Sequence, residues 1–141
     1  RAQLVNALRK AGYTATAEAH TYQGHADIVV HRPMGRPNEI ALVAECKIWD
    51  GDAKLQDGIS QLCRYVTTHV DMAIIVLFVT SGSFSSICEK AADALRRHEA
   101  CDNPQEGYEF IEFSLILPQD LRARVPAALL LCNLTTPRYS R

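Results

Sequence analysis

Apolar and polar positions along this chain fall into runs of two different periods, and the periods separate helices from strands. Residues 2–11 (AQLVNALRKA) place Leu4, Val5 and Leu8 at helical spacing, with Gly12 as a stop. From Thr14 to Tyr22 the pattern alternates, which predicts a first strand. Residues 25–31 and 39–49 are two further strand-like runs, separated by a Pro- and Gly-containing stretch (HRPMGRPN) that reads as the loop of a hairpin. The second arm, EIALVAECKIW, is apolar on both faces up to Glu45, as expected of a central strand covered on both sides.

Asp50-Gly51-Asp52 then breaks the strand and supplies helix-start residues. Over 53–69, Leu55, Ile59, Leu62 and Val66 recur at 4-3-4 spacing, the mark of an amphipathic helix. Residues 72–80 (MAIIVLFVT) form a continuous apolar run of strand length, and Ser81-Gly82-Ser83 leads into a second helix over about 84–98. CDNPQEG reads as a polar loop before a strand at 108–117. Pro118 and Pro126 bracket a short connection, and 127–134 (AALLLCNL) is either strand or helix. The resulting order is α-β-β-β-α-β-α-β. The strand–helix–strand crossover from 39–49 to 72–80 should make those two strands parallel neighbours. The expected architecture is an α/β fold in which helices flank a central mixed sheet.

With 141 residues, 48% apolar and 22% charged, the composition is that of one globular domain, its core at about 1–100 and a C-terminal extension at 101–141. The net charge of −1 announces no basic field for nucleic acid, although a basic rim can coexist with an acidic centre. Five cysteines (46, 63, 88, 101, 132), odd in number and without a C-x-x-C, fit small buried hydrophobes in a reducing cytoplasm better than a disulfide framework. The sequence has no secretory or membrane-spanning run. It begins at Arg1 rather than methionine, so it is expected to be a domain of a longer protein whose other domains are its partners.

Three charges stand out against this background: Asp27 in G-H-A-D-I-V-V, and Glu45 and Lys47 in I-A-L-V-A-E-C-K. In a hairpin symmetric about Arg36, opposed residues have numbers summing to 72, so Asp27 faces Glu45. Opposed Cβ atoms lie about 4.5–5.5 Å apart, close enough for two carboxylates to share one metal ion. Lys47, two residues on, shares Glu45's face. Two carboxylates so close repel, so a raised pKa or a bound cation is expected. Mg²⁺ takes one or two carboxylates and fills its remaining positions with water and phosphate oxygens, and the Cys46 carbonyl is placed to add another oxygen. Read as decoration, the same three residues would sit on a solvated surface. Charges inside a strand of Ile, Leu, Val, Ala and Trp are expensive unless used.

The next helix carries G58-I-S-Q61-L-C-R-Y65, with Gln61 and Tyr65 on one face. On a bland reading this pair is a partly exposed face with an aromatic stopper. Taken together, D27…E45-C-K47 and G-x-x-Q-L-x-x-Y resemble the PD-(D/E)XK nuclease superfamily of restriction-endonuclease-like fold, and the helix motif is similar to that of RecB-type nuclease domains. The resemblance covers roughly residues 1–100. It implies an αβββαβ core and a nuclease hydrolysing DNA phosphodiesters with Mg²⁺, or Mn²⁺ as substitute, in restriction, defence or repair. It also implies Asp27 and Glu45 as metal ligands, Lys47 as the catalytic lysine, and Gln61 and Tyr65 as residues that support the site or touch the substrate backbone. Two departures bear on it. Ala26 stands where a proline is common, and residues 2–11 lack the acid that many members carry in the first helix. Glu18, on the first strand, is the nearest substitute ligand, or else faces solvent; without a third acid the site would hold one metal rather than two.

Five histidines (20, 25, 31, 69, 98) show no H-x3-H spacing, which argues against zinc. His25 shares Asp27's face and is a candidate phosphate contact, weighed against a solvated strand-end histidine. Lys54, Arg64 and the loop residues Arg32 and Arg36 are candidate phosphate contacts, each weighed against plain solvation. DNA is the expected partner, with RNA as the other polymer, and a homodimer would suit a double-strand cutter. The alternative to an enzyme is a catalytically inactive nuclease-fold module that binds nucleic acid or a protein partner. A third reading is a structural α/β domain with accidental charges.

Overall fold

The computed structural model describes residues 2–12, 14–21, 24–32, 40–107 and 110–136. Among them, helix α1 spans Ala2–Lys10, strand β1 Thr14–Thr21, β2 Gly24–His31, β3 Ile40–Ile48, helix α2 Asp52–Tyr65 and β4 Val70–Val79. Helix α3 (Phe84–Arg97) and strands β5 (Cys101–Glu106), β6 (Phe110–Leu117) and β7 (Asp120–Asn133) follow. All seven strands join one mixed sheet in the order β1-β2-β3-β4-β7-β6-β5. The three central strands, β3, β4 and β7, run parallel, as the crossover through α2 demands, while the outer pairs are antiparallel. Residues 101–133 thus complete the sheet that β1–β4 begin.

Two apolar cores lie on opposite faces. Val5 of α1 packs with Ala15, Ile28, Val30 and Ala44 on one. Val29, Val43, Leu55, Ile59, Leu62 and Leu95 belong to the larger core under α2 and α3 on the other. β3 therefore buries Val43 to one side and Ala44 to the other, as its two apolar faces required.

Helix α2 is shorter than its apolar pattern suggests. It ends at Tyr65 rather than near 69, with Val66 already extended. Val66 is buried all the same, so the 4-3-4 pattern holds for packing but not for helix length. The β-branched Thr67 and Thr68 disfavour another turn, and the His69 carbonyl already accepts a hydrogen bond from the Ile40 N–H as β4 comes alongside β3.

The polar CDNPQEG segment is mostly strand, not loop: it forms edge strand β5, bulged between Asp102 and Gln105, where Asn103 has φ +51°. An edge strand needs only one partner, and a proline and charges suit its open side. Pro126 likewise does not end a connection. It lies within β7 opposite Ser114, just before pairing with β4 begins at Ala127. The connection is the Pro118–Gln119 turn, and the ambiguous 127–134 run is strand through Asn133.

Candidate active site

The paired backbones of β2 and β3 fix the site. Ile28 pairs with Ala44, Val29 with Val43 and Val30 with Leu42, the register expected of the symmetric hairpin, and it slips only at His31, which pairs with Ile40. One more step along this register sets Asp27 opposite Glu45. Val29 and Val43 face α2, so alternation turns Asp27, Glu45 and Lys47 to the α2 side as well. Asp27 is anchored there: its Oδ2 accepts the Cys46 N–H at 2.8 Å. Cys46 thus meets the site through its main-chain nitrogen, a contact invisible in the residue pattern.

Helix α2 covers this end of β3. Gly51, at φ +90°, turns the chain between strand and helix in a conformation that side chains rarely adopt. The helix then lays Lys54, Gly58, Gln61 and Tyr65, spaced 4-3-4, along one stripe. Gly58 is buried against the Lys47 stem: a Cβ there would stand 3.3 Å from Lys47 Cγ. Gln61 and Tyr65 are partly buried, and Lys54 is exposed where the stripe reaches solvent. Arg64 is exposed but lies off the stripe.

Glu45 is 5% exposed, the one buried charged residue among those described. Lys47 Nζ is 3.6 Å from Glu45 Oε1, an ion pair slightly too long for a hydrogen bond. The second carboxylate oxygen, Oε2, is buried with no donor, and so is Gln61 Oε1. Burial first, then the negative charge of Asp27, raises the Glu45 carboxyl from its ordinary 4.5 to about 7, with Lys47 opposing. The Tyr65 hydroxyl is also raised, by burial and then by the charge of Glu45, with a smaller push from Asp27, which puts the ring within electrostatic reach of both acids. The structure therefore gathers Asp27, Glu45, Lys47, Gln61 and Tyr65 on one side of the sheet.

The oxygen-rich donor set fits a hard divalent cation. Two buried acceptor oxygens, Glu45 Oε2 and Gln61 Oε1, have no hydrogen-bond donor, and a cation with its water would serve both. Among the described residues no three His, Cys, Asp or Glu side chains group together, so other positions would fall to main chain, water and substrate. Glu18 and His25 belong to β1 and β2, but their side chains lie outside the described residues, as does Arg36 with most of the hairpin loop.

One other polar pair has the look of chemistry. Ser60 Oγ lies 3.3 Å from His98 Nε2. The Ala100 N–H donates to His98 Nδ1 at 3.1 Å, so the neutral ring carries its hydrogen on Nε2 and donates to Ser60. A ring so committed has no lone pair with which to deprotonate the serine.

The sequence pattern singled out Asp27, Glu45, Lys47, Gln61 and Tyr65, which the fold brings to one side of the sheet, but it registered Gly58 only as the first letter of a motif. A glycine in mid-helix costs about 1 kcal/mol relative to alanine, and that cost was the available signal. No curated protein and no solved structure matches the chain. A family model described as restriction endonuclease (Mrr_cat) matches residues 2–105, and with this sheet and these flanking helices the chain belongs to that family, within the PD-(D/E)XK nuclease superfamily.

Proposed function

We propose that this domain is a Mg²⁺-dependent deoxyribonuclease that hydrolyses phosphodiester bonds, with Mn²⁺ able to substitute. Restriction-endonuclease-like domains generally use divalent metals, and DNA is the substrate that membership of a nuclease family implies. The observation that carries the reading is Glu45: a buried carboxylate, next to Asp27, with one oxygen facing no donor. Such a group is costly in a folded protein unless something binds it.

Asp27 and Glu45 would hold the metal, together with the Cys46 carbonyl and, if its side chain reaches, Glu18. When bound, the ion would lower the pKa of water and neutralise charge on the scissile phosphate. The rest falls to the chain's own groups. Lys47, held beside Glu45, would offset the charge that builds on the phosphate and orient the attacking water or help to deprotonate it. Gln61 Oε1, a buried acceptor, would accept a hydrogen bond from that water and so aim its lone pair. Tyr65, packed against the core, would support the site or touch the substrate backbone. Lys54, Arg64, His25 and Arg36 would grip phosphates flanking the cut.

Restriction, defence or DNA repair is the role we assign, with targeting supplied by other domains of a longer chain. Among the described residues no helix is long and apolar enough to cross a membrane. Incubating supercoiled plasmid with the protein and Mg²⁺, Mn²⁺ or EDTA tests the proposal. Cleavage should need the metal and vanish in Glu45→Gln. A protein that leaves every DNA and RNA intact, and takes up no Mn²⁺ in calorimetry, is not this enzyme.

A further inference from the structure

Gly58 is the seventh residue of a fourteen-residue helix, and it is buried. Its backbone is not in the left-handed region, so nothing in the main-chain conformation demands glycine. Alanine there would strengthen the helix by removing backbone freedom from the unfolded chain. What an added Cβ would meet is a single side chain, Lys47, with Cγ at 3.3 Å and Cε at 3.7 Å. The missing methyl group is the space that the lysine stem occupies.

We propose that Gly58 is a positioning residue for Lys47: by lacking a side chain it lets α2 lie directly on the lysine stem and holds the ammonium beside Glu45. The inference rests on the catalytic reading of Lys47 given above, although the placement itself is independent of it. Lys47 has four rotatable bonds, and a long flexible chain fixes an ammonium only when its stem is packed. Here one wall of that packing is the bare Cα of Gly58, and the far end is the Glu45 contact at 3.6 Å. A methyl group at residue 58 must push Cγ aside by a few tenths of an ångström. Rotation at the root of the stem amplifies this to about 1 Å at Nζ, and a misplacement of that size costs on the order of 10²-fold in rate.

The test pairs a stability cycle with kinetics, using wild type, Gly58→Ala, Lys47→Ala and the double variant. If the stem is what the methyl group collides with, Gly58→Ala should raise the melting temperature more in the Lys47→Ala background than in wild type. Equal shifts in both backgrounds would overturn the proposal. The chain has only four lysines (10, 47, 54 and 90), so ¹³Cε-lysine spectra resolve each one. In Gly58→Ala the Lys47 signal, identified by its loss in Lys47→Ala, should move while those of Lys10 and Lys90 stay. An unmoved Lys47 signal also sinks the idea. In plasmid cleavage Gly58→Ala should lose about 10²-fold in kcat with KM for DNA nearly unchanged. Wild-type protein that cuts nothing would defeat the nuclease reading, while the stability cycle and the spectra would still judge Gly58.

Discussion

The β2–β3–β4 strands carry charge at both ends, and the two ends treat it in opposite ways. Where β3 begins, Arg32 reaches across to Asp71 of β4 with two hydrogen bonds, Nε to Oδ2 at 2.7 Å and Nη2 to Oδ1. Both side chains are well exposed, and the guanidinium, chiefly through its hydrogen bonds, holds the Asp71 carboxyl below its usual range. Towards the other end of β3, Glu45 is buried beside Asp27, leaves one oxygen without a donor, and has its carboxyl raised to about 7. The first end is a matched pair in water, which folds at little cost and gains little. The second stores unfavourable energy in a well-packed wall. Arginine and aspartate in one place signify nothing special; a carboxylate that the fold buries and leaves with one oxygen undonated is the unusual feature.

The widest gap between the two ends should appear in catalysis. Asp27→Asn keeps an oxygen for the Cys46 N–H, so the strand ends stay tied while one negative charge disappears. We expect metal-dependent cleavage to fall by about 10³-fold or more, since charge stabilisation by the metal is worth several kcal/mol. DNA affinity should hold or rise, because the phosphate meets less repulsion. Binding measured by fluorescence anisotropy alongside plasmid cleavage separates the two effects. A melting temperature that collapses in step with activity would make Asp27 a structural residue and erase the contrast between the ends.

Much of this end is legible in the sequence, for a physical reason. A strand has a period of two and a hairpin a fixed register, so an acid at 27 and an acid at 45 could be set opposite each other from numbers alone. Glu45 and Lys47 interrupt an apolar strand, and Gln61 and Tyr65 share a helical stripe, so each broke or kept a period that can be counted. What could not be counted was partnership. The Asp27 bond to a backbone N–H, the donorless oxygens of Glu45 and Gln61, and the lysine stem against Gly58 depend on how α2 docks, which no local pattern encodes. Edge strand β5 was lost for the opposite reason. With Pro104, Asn103, Gln105 and two acids it has the composition of a loop, and it is a strand only because β6 offers it one side to pair with.

A second contrast between the ends concerns pH. The folded protein holds the Glu45 proton more tightly than the unfolded chain, whose carboxyl titrates near 4.5. This contribution to stability is complete below pH 4.5 and is lost as pH rises through 7. Its size is on the order of 3 kcal/mol. In EDTA, the melting temperature of wild type should therefore decline between pH 5 and pH 8 more steeply than that of Glu45→Gln, which has no proton to release. Excess Mg²⁺ should restore more stability at pH 8 than at pH 5, because the ion binds the ionised carboxylate. Parallel pH slopes for the two proteins would show that Glu45 is not the titrating group.

The smallest effect belongs to the end where β3 begins, and its smallness matters. Arg32→Ala removes a well-formed two-hydrogen-bond pair, yet both partners stand in water, where screening and side-chain entropy cancel most of the attraction. The melting temperature should drop by at most about 3 °C, and added salt should shrink the difference further. The Asp71 carboxylate left behind is exposed and simply hydrates, so it cannot impose the penalty that a stranded Glu45 would. Cleavage should stay within about 2-fold of wild type if the pair only trims the sheet. A loss of DNA affinity with unchanged melting temperature would instead place Arg32 on the substrate's path. The end where β3 begins would then have to be counted as part of the nucleic-acid surface rather than as its inert counterpart.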